Sequence, residues 1–215
     1  MRKAASMSEH RKILDRVYAL KSPEECEATY DEWAATYEHD TTEGMGYAAP
    51  QHAAERLSRL LADRPRAEIL DAGCGTGLVG AALAGHGLEV IDGLDLSTAM
   101  LDKARDKGVY RDLGKADLTR RLPVEDDSYD AVICVGTMTE GHVGPEAFDE
   151  LVRAARPGAP IVVTVLEGIW EPSGYKAKVE ALEQAGAVRL EENVPQSVYH
   201  VKENITCNLV VLRAL

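Results

Sequence analysis

Three glycines at alternate positions form the part of this sequence best suited to binding a ligand. They are Gly73, Gly75 and Gly77, and the apolar residues Ile69 and Leu70 precede them. Glycine tolerates positive φ and lets a ligand approach the backbone closely. The helix expected after the third glycine begins with N–H groups that have no partner inside the helix. The segment therefore predicts a ligand-binding turn between a strand and a helix.

The class of ligand follows from the glycine spacing and from an acid further along the chain. The dinucleotide fingerprint G-x-G-x-x-G places its last glycine where this sequence has Leu78. Asp95 ends a second apolar run, and a carboxylate at the tip of such a strand can accept hydrogen bonds from ribose hydroxyls. The acid supports a nucleoside ligand, and the spacing favours S-adenosylmethionine (SAM) over NAD.

Polar residues after the apolar run Tyr129–Gly136 are candidates for the chemistry itself. His142 can take a proton near neutral pH, and Glu140 can do the same or hold a cationic acceptor. Both are equally compatible with an ordinary exposed loop. A group transfer can also proceed without a base, when binding alone aligns the two reactants. The residues expected to line the acceptor pocket, several of which also suit a purely structural role, are Thr137, Thr139, Glu167, Trp170 and His200.

Three aromatic residues share one face of a predicted helix near the start of the chain. They are Tyr30, Trp33 and Tyr37, at positions i, i+3 and i+7. Aromatic rings attract cations, and the sulfur of SAM carries a positive charge, so this face is a candidate cover for the cofactor. The alternative is packing in the core, which we prefer for Trp33.

The N-terminal part of the sequence reads as helical. Ser22 and Pro23 have the types preferred at a helix N-cap and first helical position. The helix that follows is predicted to run to about Tyr37. A loop is predicted over His39–Ala49, before another helix that starts at Pro50.

From Ala67 onward, short apolar runs alternate with helical segments, which predicts parallel βαβ units. Two late runs, Val188–Glu191 and Thr206–Leu212, have no helix between them and predict an antiparallel pair. The other predicted strands are Glu68–Asp71, Glu89–Asp95, Arg111–Ala116, Tyr129–Gly136 and Pro160–Glu167; the predicted helices are Leu78–Gly85, Thr98–Gly108, Pro145–Ala155 and Tyr175–Ala185.

Composition excludes several classes of partner. The chain has 215 residues and a formal net charge of −12, which argues against nucleic acid and against anionic membrane surfaces. No two of the four cysteines have the C-x-x-C spacing, and none has a histidine at metal-ligand spacing. We therefore expect no metal site and a reducing, cytoplasmic setting. The longest apolar runs have the length of a strand and are too short to span a membrane.

The motifs resemble those of class I SAM-dependent methyltransferases, from about residue 27 to the end of the chain. The segments Tyr30–Tyr37, Cys74–Val79 and Val135–Val143 are most similar to the Williams–Beuren syndrome region methyltransferase-like proteins. The resemblance implies an α/β, Rossmann-like fold with a seven-stranded, mainly parallel sheet in the order 3-2-1-4-5-7-6. It also implies an N-terminal helical cap over residues 1–64, in the same domain as a SAM-binding core over residues 65–215.

The resemblance further implies roles for single residues. The glycine loop would hold the methionine end of SAM, Asp95 the ribose and Asp117 the adenine amine. Tyr37 would lie near the methionine moiety. The cofactor residues implied in this way are Tyr30, Tyr37, Asp71, Gly73, Cys74, Gly75, Gly77, Asp95, Leu96, Met100, Asp117, Leu118 and Val135.

The sequence thus predicts an enzyme that transfers a methyl group from SAM to a nitrogen or oxygen atom of a small molecule, giving S-adenosylhomocysteine (SAH). It does not identify the acceptor, although the acidic chain favours an amine over an anion. The alternatives are a SAM-binding protein without turnover and a protein methyltransferase. An RNA methyltransferase is disfavoured by the charge, and an NAD-dependent oxidoreductase by Leu78. We expect a monomer or a homodimer.

Overall fold

The computed structural model describes residues 9–20, 22–140 and 143–215, and contains one seven-stranded sheet. The strand order is β3-β2-β1-β4-β5-β7-β6, as predicted. Strands β1 to β5 are parallel, whereas β7 runs antiparallel to both β5 and β6. The strands are β1 Glu68–Ala72, β2 Val90–Asp95, β3 Asp112–Lys115, β4 Ala131–Met138, β5 Pro160–Leu166, β6 Val188–His200 and β7 Ile205–Ala214.

The central strands are buried along almost their whole length. Every residue of β5 is buried. In β1 only the first residue is partly exposed, and in β4 only two residues near its end are. Continuous burial is expected of parallel strands covered on both faces, and it explains why these segments read as apolar runs rather than as alternating patterns. Because the carboxyl ends of parallel strands lie at one edge of the sheet, the residues that follow β1, β2 and β4 come together there.

Seven α-helices surround the sheet in the described residues. Ser22 caps α2 as predicted: its hydroxyl accepts the backbone N–H of Glu25 at 3.2 Å, and Pro23 takes the first helical turn. Helix α3 contributes Ala53 and Leu57 to the same apolar cluster as the central strands. The helices are α1 Glu9–Tyr18, α2 Pro23–Trp33, α3 Ala49–Leu60, α4 Leu78–Gly85, α5 Thr98–Asp106, α6 Ala147–Ala154 and α7 Tyr175–Gln184.

The segment between α2 and α3 differs from the prediction. Helix α2 ends at Trp33 rather than near Tyr37, and the predicted loop contains a π-helix, His39–Met45, which ends at Gly46 with φ +71°. Within it, the hydroxyl of Thr41 donates to the carbonyl of Tyr37 at 2.7 Å. Threonine and glycine in a polar stretch favour a loop, and π-helices are rare, so sequence patterns give no signal for this one.

The two last strands form the predicted antiparallel pair, but β6 is much longer than its apolar run. It continues to His200 through three register shifts. Its end is hydrogen-bonded to the segment that follows the π-helix: the N–H of Ala48 donates to Tyr199 O, and the N–H of Val201 donates to Gly46 O, both at 3.0 Å. This pairing joins the N-terminal helices to the edge of the sheet. None of the described helices combines the length and apolar character needed to cross a membrane.

Candidate functional site

A cleft of about 760 Å³, including the space open to solvent, lies at the carboxyl ends of β1, β2 and β4, with helix α2 along its other side. Thr137, expected in the acceptor pocket, lines the cleft too. The predicted cofactor residues that line it are Tyr30, Tyr37, Gly73, Gly75, Asp95, Leu96, Met100, Asp117, Leu118 and Val135.

The glycine loop forms one wall of this cleft. Gly73 and Gly75 both have positive φ, +78° and +53°. A Cβ on Gly75 would have no atom within 4 Å, so it would project into open space. A Cβ on Gly73 would collide with the hydroxyl of Thr137, because the loop and the end of β4 touch there. The absence of side chains thus leaves the backbone of the loop accessible to a ligand.

Asp95 lies at the centre of the cleft and is held by the backbone around it. Its carboxylate accepts the N–H of Gly75 at 2.8 Å and the N–H of Ser97 at 2.9 Å. Burial raises the pKa of Asp95, and the backbone hydrogen bonds oppose this effect. Two carboxylate oxygens offer about four acceptor positions, so both can still accept ribose hydroxyls while keeping these bonds.

Asp117 lies further along the cleft, after β3. Its Oδ1 accepts the N–H and the hydroxyl of Thr119, at 2.9 and 2.6 Å, while its Oδ2 lies 3.2 Å from Nε of Arg120. Apolar side chains of Met100 and Leu118 line the cleft near this acid. A flat heteroaromatic ring with an exocyclic amine suits such a combination of apolar contacts and a carboxylate acceptor.

Helix α2 covers the cleft and is held by polar contacts. None of its residues is fully buried. Asp31 Oδ1 accepts the hydroxyl of Ser97 at 2.5 Å and the N–H of Ala99 at 3.2 Å, at the start of α5. Glu27 forms an ion pair with Lys115 at the end of β3. Sequence reasoning missed Asp31, because one acid on a helix gives no sign that it caps another helix.

Three predicted cofactor residues do not line the cleft. Gly77 (φ +87°) starts α4 and lies against α5, where a Cβ would come within 3.2 Å of the Cα of Ala104. Cys74 is buried with its sulfur towards Gly93 on β2. Asp71 is completely buried behind the loop. These three residues pack on the side of the loop that faces the protein interior, opposite the cleft.

Asp71 has an unusual environment for a carboxylate. Its Oδ2 accepts the hydroxyl of Tyr110 at 2.7 Å, while its Oδ1 has no hydrogen-bond partner among the described residues. Burial raises the pKa of Asp71 to about 7, against the effect of the Tyr110 hydrogen bond. The buried hydroxyl of Thr76, in the same loop, likewise has no partner. Neither residue lines the cleft, so both unsatisfied atoms lie away from the space where a ligand would bind.

The residues expected around the acceptor are not gathered in one place. Thr139 and Trp170 are buried. Glu140 and Glu167 line a second groove together with Asp15 of α1, next to Ile205 and Thr206 of β7. His142 lies outside the described residues. The groove adjoins the ends of β4 and β5 and shares no lining residue with the cleft.

His200 does not line the cleft. It is 3% exposed, and its ring packs against Tyr47 and Tyr199 with centroid distances of 5.0 and 4.7 Å. Its Nδ1 has no partner in the described part of the chain. Burial lowers the pKa of His200 to about 4, so the ring is neutral at pH 7. Tyr47 was also missed by sequence reasoning, because it lies in a segment read as a loop.

The residues present fit SAM in each part of the cleft. Asp95 and Asp117 both line the cleft and offer carboxylate acceptors of the kind that suits ribose hydroxyls and an exocyclic amine. The open backbone at Gly75 leaves room for the amino-acid end, and the rings of Tyr30 and Tyr37 face the same space. Their centroids lie 6.2 Å apart, and aromatic rings at such a site favour a positively charged sulfur.

The sequence is similar to a methyltransferase family model and to several known proteins. Residues 69–158 match the family model described as a methyltransferase domain. The chain is 35% identical to methyltransferase-like protein 27 of Homo sapiens over 162 residues, which cover 73% of this chain and 65% of the relative. It is 32% identical to a demethylmenaquinone methyltransferase of Clavibacter sepedonicus over 146 residues, covering 66% of this chain and 58% of the relative. The chain thus spans less than two thirds of the length of these relatives.

Solved structures share the fold at low sequence identity. The crystal structure of the [4+2]-cyclase SpnF superposes with a TM-score of 0.66 at 18% identity, covering 91% of this chain and 97% of that one. At this identity the likeness concerns the fold alone. The same arrangement of sheet and helices is therefore found in proteins of more than one described activity.

Proposed function

We propose that the protein is a class I methyltransferase that transfers a methyl group from SAM to a nitrogen or oxygen atom of a small molecule, in keeping with the match of residues 69–158 to a methyltransferase domain. The observation that carries the proposal is the continuity of one cleft. It connects the acid at the end of β2, the glycine loop and Thr137 at the end of β4. A nucleoside held at Asp95 therefore has its distal end beside the β4 terminus.

The residues of the chain contribute to this reaction chiefly by positioning. Bound in the cleft, SAM supplies a methyl group made electrophilic by the positive charge on its sulfur. Asp95 fixes the ribose, Asp117 orients the adenine, and the backbone at Gly75 leaves space for the amino-acid end. Val135 and Thr137 border the side from which an acceptor would approach. Alignment of two reactants can lower a barrier by roughly 7–11 kcal/mol, which makes a dedicated base unnecessary for an amine that is already deprotonated.

Two residues near the β4 terminus remain candidates for proton transfer. Glu140 is exposed and lines the groove at the ends of β4 and β5. We infer that it, or His142 close to it in sequence, receives the proton when the acceptor is a hydroxyl or an ammonium group. Both residues stand immediately after the strand whose end borders the cleft, which is the support for this assignment.

The acceptor class follows from charge. The chain has a formal net charge of −12, and three carboxylates, Asp15, Glu140 and Glu167, line the second groove. A cationic or neutral small molecule would suit this environment better than an anion. The formal net charge of −12 disfavours RNA, although one relative of this chain, from Bos taurus, is named an 18S rRNA (guanine-N(7))-methyltransferase.

A second candidate function is binding of SAM without methyl transfer. It is favoured by one observation: four residues expected at the acceptor do not line the cleft, namely Thr139, Glu140, Glu167 and Trp170. This alternative predicts tight binding of SAM with no release of SAH in the presence of any acceptor.

Titration calorimetry and a radiolabel assay together test the proposal. SAM and SAH should bind the purified protein with a 1:1 stoichiometry, whereas NAD should give no heat. Incubation with methyl-tritiated SAM and a small-molecule extract should transfer label to a low-molecular-weight product, and amines should compete with the transfer better than carboxylic acids. Binding without transfer would favour the second candidate, and binding of NAD alone would refute both.

A further inference from the structure

The chain after β3 holds Asp117 in a tight turn. The N–H of Arg120 donates to the carbonyl of Asp117 at 3.0 Å, which closes the turn over residues 117–120. Asp117 and Thr119 both line the cleft, whereas Arg120 does not. The side chain of Asp117 is only 17% exposed, so its carboxylate is mostly shielded from solvent. The contacts that fix this carboxylate therefore also decide what it can offer to a ligand.

Thr119 binds one oxygen of that carboxylate twice. Its N–H and its hydroxyl both donate to Asp117 Oδ1, at 2.9 and 2.6 Å. A carboxylate oxygen has about two acceptor positions, so these two bonds fill Oδ1. The bond from the N–H alone is enough for an Asx turn, in which an aspartate accepts the N–H two residues further on. The bond from the hydroxyl is thus additional to what the turn requires.

The other oxygen of Asp117, Oδ2, keeps its acceptor capacity. It lies 3.2 Å from Nε of Arg120 and accepts no hydrogen bond from the described residues. The side chain of Arg120 is 76% exposed, and an ion pair with so exposed a partner contributes little. A ligand that donates a hydrogen bond to Asp117 consequently finds one oxygen occupied and the other open.

One open oxygen suits a single N–H donor. The amine of adenine offers such a donor, next to a ring nitrogen that only accepts. A guanine edge offers two parallel N–H groups, which a carboxylate binds best with both of its oxygens. A base with a carbonyl in place of the amine would bring an acceptor against a carboxylate, which is itself only an acceptor. Occupation of Oδ1 therefore favours adenine over other purines.

We propose that the Thr119 hydroxyl is a positioning group, which fixes the Asp117 carboxylate and thereby makes the cleft select adenine over other purines. The inference rests on the proposed function, which takes Asp117 as the residue that orients the adenine. Without this hydroxyl, only the N–H of Thr119 holds Oδ1. The carboxylate can then turn about its Cβ–Cγ bond, and Oδ1 regains an acceptor position, so selection for the amine weakens although the turn persists.

Titration calorimetry with SAH and with S-inosylhomocysteine tests this inference without knowledge of the methyl acceptor. The second compound carries an oxygen in place of the adenine amine. The wild-type protein should bind SAH at least about tenfold more tightly than this analogue, because the analogue lacks a hydrogen bond to a charged group. Thr119→Val keeps the shape of the side chain and the N–H bond, and it should reduce this ratio about threefold to tenfold, the range of one hydrogen bond.

Two further variants separate positioning from a merely structural role. Thr119→Ser restores the hydroxyl without the methyl group and should recover the wild-type ratio. Thr206→Val is the matched control, because the hydroxyl of Thr206 also donates to a carboxylate, that of Glu167, and Thr206 does not line the cleft. That variant should keep the wild-type ratio as well.

The outcomes distinguish this inference from the proposed function. A wild-type ratio in the folded Thr119→Val variant would overturn the inference, and so would equal binding of the two compounds by the wild-type protein. Thr119 is exposed, so its replacement should not prevent folding, and Thr119→Ala removes the same hydroxyl if the valine variant does not fold. Failure of the wild-type protein to bind SAH at all would instead refute the proposed function itself.

Discussion

The backbone N–H of Gly75 donates to the carboxylate of Asp95 across 2.8 Å, and this bond joins the loop after β1 to the end of β2. The acid and the glycine loop consequently cannot move independently. A ligand that contacts both meets a prearranged surface, which lowers the ordering cost of binding.

Asp95→Asn tests the role of this acid. The amide keeps an oxygen for the backbone but loses the charge, and hydrogen bonds to charged groups contribute about 1.5–3 kcal/mol. We expect the affinity for SAH to fall at least about tenfold, as measured by calorimetry. Asp106→Asn removes an exposed carboxylate from α5 and serves as the control. Equal affinities for the two variants would contradict the assignment of Asp95 to the ribose.

Alanine at Gly75 and at Gly77 should have different consequences. The Cβ at position 75 meets no atom, so Gly75→Ala bears only the backbone strain of its φ of +53° and should lower stability less than Gly77→Ala while reducing SAH affinity. The Cβ at position 77 meets Ala104 and Lys107 at 3.2 and 3.1 Å with φ +87°, so Gly77→Ala should lower the free energy of unfolding by about 1–3 kcal/mol. Urea unfolding and calorimetry on both variants separate the two effects, and a reversed pattern would show that the loop is misassigned.

Removal of Asp31 should free helix α2 from the core. Asp31→Ala deletes the acceptor for Ser97 and Ala99, and we expect faster amide hydrogen exchange across Pro23–Trp33 and faster dissociation of SAH. Glu32→Ala is a suitable control on the same helix, because its ion pair with Arg16 is exposed and contributes little. Similar exchange in both variants would mean that α2 is held by other contacts.

His200 should make the protein less stable in acid. Its folded pKa of about 4 lies below the ordinary value of 6.5, so the unfolded state binds a proton first as the pH falls between these values. His200→Phe preserves the ring and removes this dependence. The free energy of unfolding of the variant minus that of wild type should therefore be larger at pH 5 than at pH 7.5. Urea unfolding at both pH values measures this difference. A stability difference that is the same at both pH values would contradict the buried neutral form.

Asp71 should act in the opposite direction. Its folded pKa of about 7 lies above the ordinary value of 3.8, so the folded state holds a proton that the unfolded state has lost, and stability falls as the pH rises through this interval. Asp71→Asn imitates the protonated form and keeps an acceptor for Tyr110. We expect it to stabilise the protein by at least about 1 kcal/mol more at pH 8 than at pH 5. A uniform effect across pH would indicate that Asp71 is ionised in the folded state.

The central strands and the glycine turn were predictable from sequence because both depend on local patterns, whereas the strand order was implied by the family resemblance. Apolar runs identified the central strands, and the glycines with Asp95 identified the cleft. The division into a cap over residues 1–64 and a core over residues 65–215 stays a prediction. So do the assignments of Glu140 and His142 to proton transfer.

The features that could not be predicted from the sequence depend on contacts between residues far apart in the chain. The capping of α5 by Asp31, the π-helix before Gly46 and the position of Tyr47 against Gly136 all arise from tertiary packing. The side of the loop occupied by Asp71, Cys74 and Gly77 was likewise misjudged, because glycine spacing marks a turn without giving its orientation.

The pairing of the segment before α3 with the end of β6 has a consequence for biosynthesis. Tyr47 and Tyr199 are separated by 152 positions, whereas the glycine loop, Asp95 and Asp117 come from one continuous stretch in between. During translation the nucleoside-binding stretch leaves the ribosome well before residues 199–202 are made. The packing of Tyr47 and Tyr199 against Gly136 is therefore completed last, and it cannot form in a nascent chain until β6 has emerged.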